Sequence, residues 1–254
     1  MADDWRYPRF IAHRGGGALA PENSLAGIRL AARLGFRAVE FDVMLSADGI
    51  PVLFHDETLE RTTDGQGKLA QNTLAQLRQL DAGNRQHHAF GGESIPTLDE
   101  ALVLCHKLQL AANIELKPTL DADHDTGIAV ARQAGAASSR WPQLSLLLSS
   151  FSETALAAAR DVAAELPRAL LVREIPANWQ TRLERSACKA LHCAAEHFHP
   201  GQAAAINAAG YALACYTVNR QEQAEQFFAA GVSAVFTDRL DLFATRPARP
   251  APAP

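Results

Sequence analysis

The chain has 254 residues, 48% of them hydrophobic and 20% charged, with 24 lysines and arginines against 28 aspartates and glutamates for a formal net charge of -4. That apolar content is enough to bury a core, which excludes a wholly disordered chain, and the sequence carries neither a collagen period nor sustained heptads. The near-neutral balance gives no general attraction for nucleic acid or an anionic membrane, so phosphate recognition falls to a few placed cations and the expected partner is a small molecule.

Residues 1–6 include Asp3 and Asp4 and lack the apolar run of a secretory signal. Strand-like runs then alternate with helical ones. A strand is predicted at 10–14, a helix at 24–34 closing on Gly35, and a strand at 38–45. Asp48-Gly49 reads as a hairpin turn leading to a returning arm at 51–55. With those two residues as the loop, Ala47 pairs with Ile50 and the ladder sets Asp42 opposite His55. Residues 57–95 are polar and glycine-containing, with one helix at 73–80; the stretch is too long for an ordinary connection and reads as an excursion over the mouth of the fold.

Beyond it come a helix at 98–108, strands at 112–117, 145–150, 168–173, 188–193, 212–218 and 234–237, and helices at 153–164 and 221–230. Eight barrel strands with crossover helices in about 250 residues predict a (β/α)8 TIM barrel, with a small insertion after a β-hairpin at its C-terminal mouth. Residues 1–245 are expected to form one catalytic barrel, with the insertion at about 57–95, and 246–254 a disordered proline/alanine tail. The longest apolar run, around 144–151, falls short of the about 20 residues that cross a bilayer. Cys105, Cys188, Cys193 and Cys215 lie in core segments without CxxC spacing and read as reduced thiols. A cytoplasmic protein without stable membrane association is expected, and its oligomeric state is open.

Catalytic groups of such barrels sit at the C-terminal ends of the strands, and the unusual polar residues fall there. His13 and Arg14 end the first strand. Glu40 and Asp42, two apart, share one face of a strand whose Val39, Phe41 and Val43 mark it as buried; Glu115 and Lys117 repeat the pattern on the next barrel strand. Three carboxylates on neighbouring strands offer the all-oxygen donor set of a hard divalent cation, Mg²⁺ or Ca²⁺, with Mn²⁺ also suited. Buried salt bridges to Arg14 and Lys117 are the competing account of the same acids, and can coexist with a metal. His13 and His55 converge on the same mouth; each is either a hydrogen-bonded structural histidine or one of a general acid/base pair. Arg14 and Lys117 are the cations placed to hold a phosphate. Gly15-Gly16-Gly17 is no dinucleotide fingerprint and reads as room for a ligand beside the backbone. His87, His88, His106, His124, His197 and His199 show no ligand spacing.

The runs His13-Arg14-Gly15-Gly16, Pro21-Glu22-Asn23-Ser24, Val39-Glu40-Phe41-Asp42-Val43 and Phe54-His55-Asp56 closely resemble the opening of the glycerophosphodiester phosphodiesterases. Leu59-Glu60-Arg61-Thr62-Thr63, Ile95-Pro96-Thr97-Leu98, Asn113-Ile114-Glu115-Leu116-Lys117, Ser150-Phe151, Tyr216-Thr217-Val218-Asn219 and Phe236-Thr237-Asp238 extend the likeness along nearly all of the chain. The resemblance implies a metal held by Glu40, Asp42 and Glu115, His13 and His55 as the acid/base pair, and phosphate contacts from Arg14 and Lys117. It further implies hydrolysis of a glycerophosphodiester to sn-glycerol 3-phosphate and an alcohol. Tyr216 departs from the tryptophan that many members carry, which bears on contacts to the glycerol end. A lyase acting on a phospholipid or inositol phosphodiester is the second enzymatic reading, and a non-catalytic metal- or phosphate-binding barrel the third.

Overall fold

A computed structural model describes residues 7–244, so the expected tail at 246–254 lies outside the described residues. The strands of the barrel are β1 (Phe10–Ala12), β2 (Ala38–Leu45), β4 (Ala111–Leu116), β5 (Leu146–Ser150), β6 (Arg168–Val172), β7 (Ala190–Ala194), β8 (Ala212–Tyr216) and β9 (Ala234–Thr237). They run parallel in the ring order β1-β9-β8-β7-β6-β5-β4-β2, closed by pairing of Ala12 with Val39. This is the predicted (β/α)8 barrel, with several strands a residue or two shorter than the sequence suggests. The arm β3 (Pro51–Leu53) lies antiparallel on β2, outside the ring.

Helices α1 (Leu25–Arg33), α3 (Leu98–Leu108), α4 (Asp123–Arg140), α5 (Glu153–Val162), α6 (Trp179–Arg185), α7 (Pro200–Ala208), α8 (Gln221–Ala229) and α9 (Leu240–Phe243) follow the strands, and a short α2 (Leu74–Leu77) lies in the insertion. Their starts are written locally. Ser24 accepts from the Gly27 N–H at the head of α1, and Thr97 with Glu100 forms a reciprocal capping box on α3.

Alternation along the strands sorts the side chains. Val39, Phe41, Val43, Ile114, Leu148, Leu170, Leu191 and Val235 belong to the large core shared with the helices. The intervening positions point into the barrel, where Ile11, Ala38, Ala214, Ala234 and Phe236 pack together and Leu147, Ala169, Ala190 and Ala212 form a second group. Glu40, Asp42 and Glu115 take inward positions on β2 and β4, beyond these groups toward the C-terminal end of the barrel. The insertion builds its own small core from Met44, Val52, Phe54, Leu59, Leu69, Leu77 and Ile95, which seats it on the arm.

The hairpin differs from its expected register by one residue. Val43 pairs with Leu53 and Met44 with Val52, the Ser46 N–H donates to the Ile50 carbonyl, and the Phe54 N–H donates to the Asp42 carbonyl. Phe54 rather than His55 therefore stands across from Asp42. The loop has three residues, Ala47, Asp48 and Gly49, with Gly49 at φ +74° taking the left-handed position that such loops require. The Asp48 carboxylate accepts from Ser46 Oγ at 2.6 Å and from the Leu74 N–H at 2.9 Å, so the tertiary contact to α2 helps to select the longer loop.

All four cysteines are buried free thiols. A cavity of about 650 Å³ opens at the strand N-termini, lined by Tyr7, Leu147, Arg168, Lys189 and Ala212 among others. It lies at the opposite end of the barrel from Glu40, Asp42 and Glu115.

Candidate active site

His13 directly follows β1, and the turn after it is held by backbone. The Gly15 N–H donates to the Glu40 carbonyl at 2.8 Å, the Arg14 N–H donates to Glu40 Oε2 at 2.9 Å, and Arg14 itself takes a left-handed φ of +49°. Helix α1 comes so close that a Cβ on Gly27 would stand 2.7 Å from the Gly16 nitrogen, so only glycine allows this contact. The helix thereby braces the segment that carries His13 and Arg14.

Glu40, Asp42 and Glu115 each bring a carboxylate oxygen to one point, all within 4.8 Å of one another. Glu40 and Asp42 are buried and Glu115 is partly open to the mouth. Asn23, not assigned a role from sequence, grips Asp42 at both ends of its amide: Nδ2 donates to Asp42 Oδ2 at 2.9 Å and Oδ1 accepts from the Asp42 N–H at 3.0 Å. Lys117 Nζ lies 3.5 Å from Asp42 Oδ1 and Arg14 Nε 3.8 Å from Asp42 Oδ2.

The charges do not balance across the three acids. Burial would raise the Asp42 carboxyl, but Lys117, His55, Arg14 and the Asn23 amide outweigh it and hold Asp42 below the ordinary value. Glu40 is pushed upward by burial and then by the charge on Asp42. Glu115 is raised by desolvation and by repulsion from Asp42 and Glu40. For Glu40 and Glu115 the positive charges nearby, from His13, Arg14 and Lys117, are outweighed by burial and mutual repulsion, and all donors are hard oxygens, which is the donor chemistry that a divalent cation of the Mg²⁺ or Ca²⁺ kind fits.

Both histidines stand at this mouth, and each is paired through Nδ1 to a carboxylate. His13 Nδ1 is 2.7 Å from Asp238 Oδ1, and its Nε2 is 3.9 Å from Glu40 Oε2. Asn219 steadies Asp238, donating from Nδ2 to Oδ2 at 3.1 Å and accepting the Asp238 N–H at 2.8 Å. His55 Nδ1 is 2.6 Å from Asp56 Oδ1. Burial lowers the His13 ring, yet the hydrogen bond it donates to Asp238 and the charge on Glu40 leave it raised; for His55 burial dominates and, with Arg14 and Lys117, leaves it lowered. With Nδ1 occupied, Nε2 is the free ring nitrogen in each.

Arg14 Nη1 donates to Glu22 Oε1 at 3.0 Å, while its Nε is a buried donor with no hydrogen-bond partner. That spare donor beside Lys117 suits an incoming oxyanion. On the far side of the mouth Tyr216 donates its hydroxyl to the Val172 carbonyl at 2.8 Å and meets Phe151 edge to face, ring centroids 6.1 Å apart.

All seven residues singled out from the sequence, His13, Arg14, Glu40, Asp42, His55, Glu115 and Lys117, lie around this one mouth. Sequence reasoning missed Asp56, Asn219 and Asp238 as partners. Asp56 had a signal, being adjacent to a candidate histidine, and Asp238 had another, being a polar residue just past the C-terminal end of a barrel strand. The histidines without ligand spacing, such as His87, His124 and His199, are exposed. His192, on no list of candidates, points inward on β7, where burial drives its ring down to about 3. Among the described residues no helix is long and apolar enough to cross a membrane.

A sequence profile of the glycerophosphoryl diester phosphodiesterase family matches residues 13–242. An Oleispira antarctica phosphodiesterase, solved in complex with the product sn-glycerol-3-phosphate, is 42% identical, with a TM-score of 0.87 over 91% of this chain and 93% of that one. A glycerophosphodiester phosphodiesterase of Caldanaerobacter subterraneus is 33% identical over 231 residues, 90% of this chain and 93% of that protein. Rat glycerophosphodiester phosphodiesterase 1 is 49% identical over 109 residues, 41% of this chain, so the match spans about a third of that mammalian relative, 33% of its length.

Proposed function

The chain belongs to the glycerophosphoryl diester phosphodiesterase family, and from that membership we propose that it hydrolyses glycerophosphodiesters to sn-glycerol 3-phosphate and an alcohol, by a metal-dependent, two-histidine route. Residues 1–245 act as the catalytic barrel and the substrate is a small molecule. The observation that carries the reading is the meeting of three carboxylates within 4.8 Å beside two histidines, each held through Nδ1 by its own carboxylate.

Glu40, Asp42 and Glu115 are the residues that would hold the cation. When bound it supplies Lewis-acid stabilisation of the charge that develops on the phosphoryl oxygens. Arg14 and Lys117 contribute to the same end from the protein, Arg14 through the Nε donor left free and Lys117 as a point charge. One histidine Nε2 takes the proton of the attacking hydroxyl; the other gives a proton to the oxygen of the departing alcohol, as the phosphorus–oxygen bond to it breaks. Asp238 and Asp56 keep each imidazole in the tautomer and orientation that this requires. Attack by water and attack by the glycerol 2-hydroxyl use the same residues; we favour the hydroxyl, because an intramolecular nucleophile arrives already positioned. On this route water then adds to the phosphorus of the cyclic phosphate as the bond to the 2-oxygen breaks and that oxygen takes a proton, giving sn-glycerol 3-phosphate. A trapped five-membered cyclic phosphate supports that choice, and inversion at phosphorus with direct entry of solvent oxygen overturns it.

The test is release of glycerol 3-phosphate from a panel of glycerophosphodiesters, with chelator, Mg²⁺, Mn²⁺ or Ca²⁺, and His13→Ala as control. Metal-dependent product that vanishes in the control is the expected result. Folded protein that forms no product with any of the metals overturns the reading.

A further inference from the structure

The insertion between β3 and α3 carries Arg61, whose guanidinium grips two carboxylates at once. Nη1 and Nη2 donate to Glu22 Oε2 and Oε1 at 2.8 and 2.7 Å. Nε and Nη2 donate to Asp56 Oδ2 and Oδ1 at 2.5 and 3.0 Å. Each carboxylate has a second partner. Glu22 Oε1 also accepts from Arg14 Nη1 at 3.0 Å, and Asp56 Oδ1 lies 2.6 Å from His55 Nδ1. The path Arg14, Glu22, Arg61, Asp56, His55 is thus unbroken, and it runs from the cation placed for the phosphate to one of the two proton carriers.

We propose that Arg61 is a positioning residue that fixes Arg14 and His55 relative to each other, so that the insertion completes the catalytic mouth. The proposal rests on the function argued above and assigns that site one more residue. Three features of the geometry support it. Arg61 makes four hydrogen bonds to two forks, a pattern open to a planar guanidinium and closed to the point charge of lysine. Its side chain is 47% exposed, where a single ion pair would contribute little, but here it is one member of a network anchored at both ends by partly buried groups. The insertion is also docked on the β1–α1 region at two further points: Gln86 Nε2 donates to the Ala18 carbonyl at 3.0 Å, and Glu93 Oε1 accepts from the Ala26 N–H at 2.9 Å. The segment bearing Arg61 is therefore held against the loop bearing Glu22.

The two arms of the network have different kinetic signatures. Asp56 acts on the proton-transferring ring, so Asp56→Asn lowers kcat with little change in KM. Glu22 acts on the phosphate-contacting cation, so Glu22→Gln raises KM. Arg61→Gln disturbs both together and lowers kcat/KM by about 10²-fold, the scale of a displacement near 1 Å at a reacting group. Arg61→Lys restores charge and melting temperature without restoring kcat or KM.

The experiment is steady-state kinetics of the wild type and these four variants on one glycerophosphodiester that the wild type cleaves, with a melting temperature for each. A joint kcat and KM defect in Arg61→Gln that Arg61→Lys leaves uncorrected is the expected result. Wild-type kinetics in Arg61→Gln, full kinetic rescue by Arg61→Lys, or a lowered melting temperature with unchanged kinetics overturns the proposal. If Arg61→Gln does not fold, Arg61→Lys and the split between Asp56→Asn and Glu22→Gln decide it by the same criteria. A wild type that cleaves no glycerophosphodiester overturns the function reading itself, an outcome distinct from an active wild type indifferent to Arg61.

Discussion

Asp42 and Glu115 are register partners across the parallel β2–β4 ladder, so backbone pairing itself sets two carboxylates side by side. Glu40, two residues earlier on the same face of β2, completes the group. Lys117 and Arg14 serve chiefly Asp42, which leaves negative charge in excess.

On the proposed reading, that excess predicts that folding stability responds to divalent cations. A ligand that binds only the native state at a hundredfold excess over Kd stabilises it by about 2.7 kcal/mol. For a chain of this size the corresponding rise in Tm is on the order of 5–10 °C. Differential scanning fluorimetry with Mg²⁺, Mn²⁺ or Ca²⁺, and again after chelation, reads this directly. A flat response to all three counts against the donor set.

Replacing one donor separates stability from binding. Glu115→Gln removes a carboxylate raised by desolvation and by its two neighbours, so the cation-free protein should melt at the same temperature or higher. The cation-induced rise should disappear in the same variant. A variant that melts lower without cation and still responds to it contradicts the assignment.

For the two histidines, His13→Ala and His55→Ala should each lower turnover by about 10²-fold or more, with unchanged far-ultraviolet circular dichroism. Asp238→Asn should follow His13→Ala in direction, because it removes the carboxylate charge beside Nδ1 while leaving the ring in place. Turnover near that of the wild type in either alanine variant removes that histidine from the reaction.

Acid sensitivity should centre in part on Glu153, the first residue of α5. Burial alone would raise its carboxyl, but hydrogen bonds from Arg185 and Arg182 hold it below the ordinary value of 4.5. A carboxylate depressed on folding contributes stability above its unfolded pKa and loses it as pH falls through the folded one. The contribution, about 1 kcal/mol for pairs this exposed, should therefore be present at pH 6–8 and fade below about pH 4.5. In Glu153→Gln, Tm should be lower at neutral pH and fall less steeply on acidification. Parallel Tm profiles for the two proteins contradict this account.

Gly27→Ala should lower stability by about 1–3 kcal/mol, the scale of overpacking, since its Cβ would stand 2.7 Å from the Gly16 nitrogen. Activity should fall with it, because the displaced turn carries His13 and Arg14. Gly49→Ala meets no atom within 4 Å and strains only the left-handed backbone, at about 1 kcal/mol, with activity kept. Equal loss of activity in both variants would contradict the bracing role of α1.

The barrel and its acids are legible in the sequence because each rests on a short-range pattern: alternation along β2 and β4 fixes which residues point inward, whatever the rest of the chain does. The hairpin register is less so. Two-residue and three-residue loops both accommodate Asp48-Gly49, and the contact from Asp48 to the Leu74 N–H that favours the longer one comes from a distant segment. The roles of Asp238 and Glu22 are hidden for the same reason. Asp238 meets His13 only after the ring closes, and Glu22 meets Arg61 only after the insertion folds back.

The His13–Asp238 pair joins residues 225 positions apart, across the seam between β1 and β9. A polypeptide still growing on the ribosome and short of β9 has the three acids and both histidines yet lacks the group that orients the first of them. On the proposed route, hydrolytic power would thereby be tied to completed synthesis, and a nascent chain would be an unfinished rather than a working enzyme.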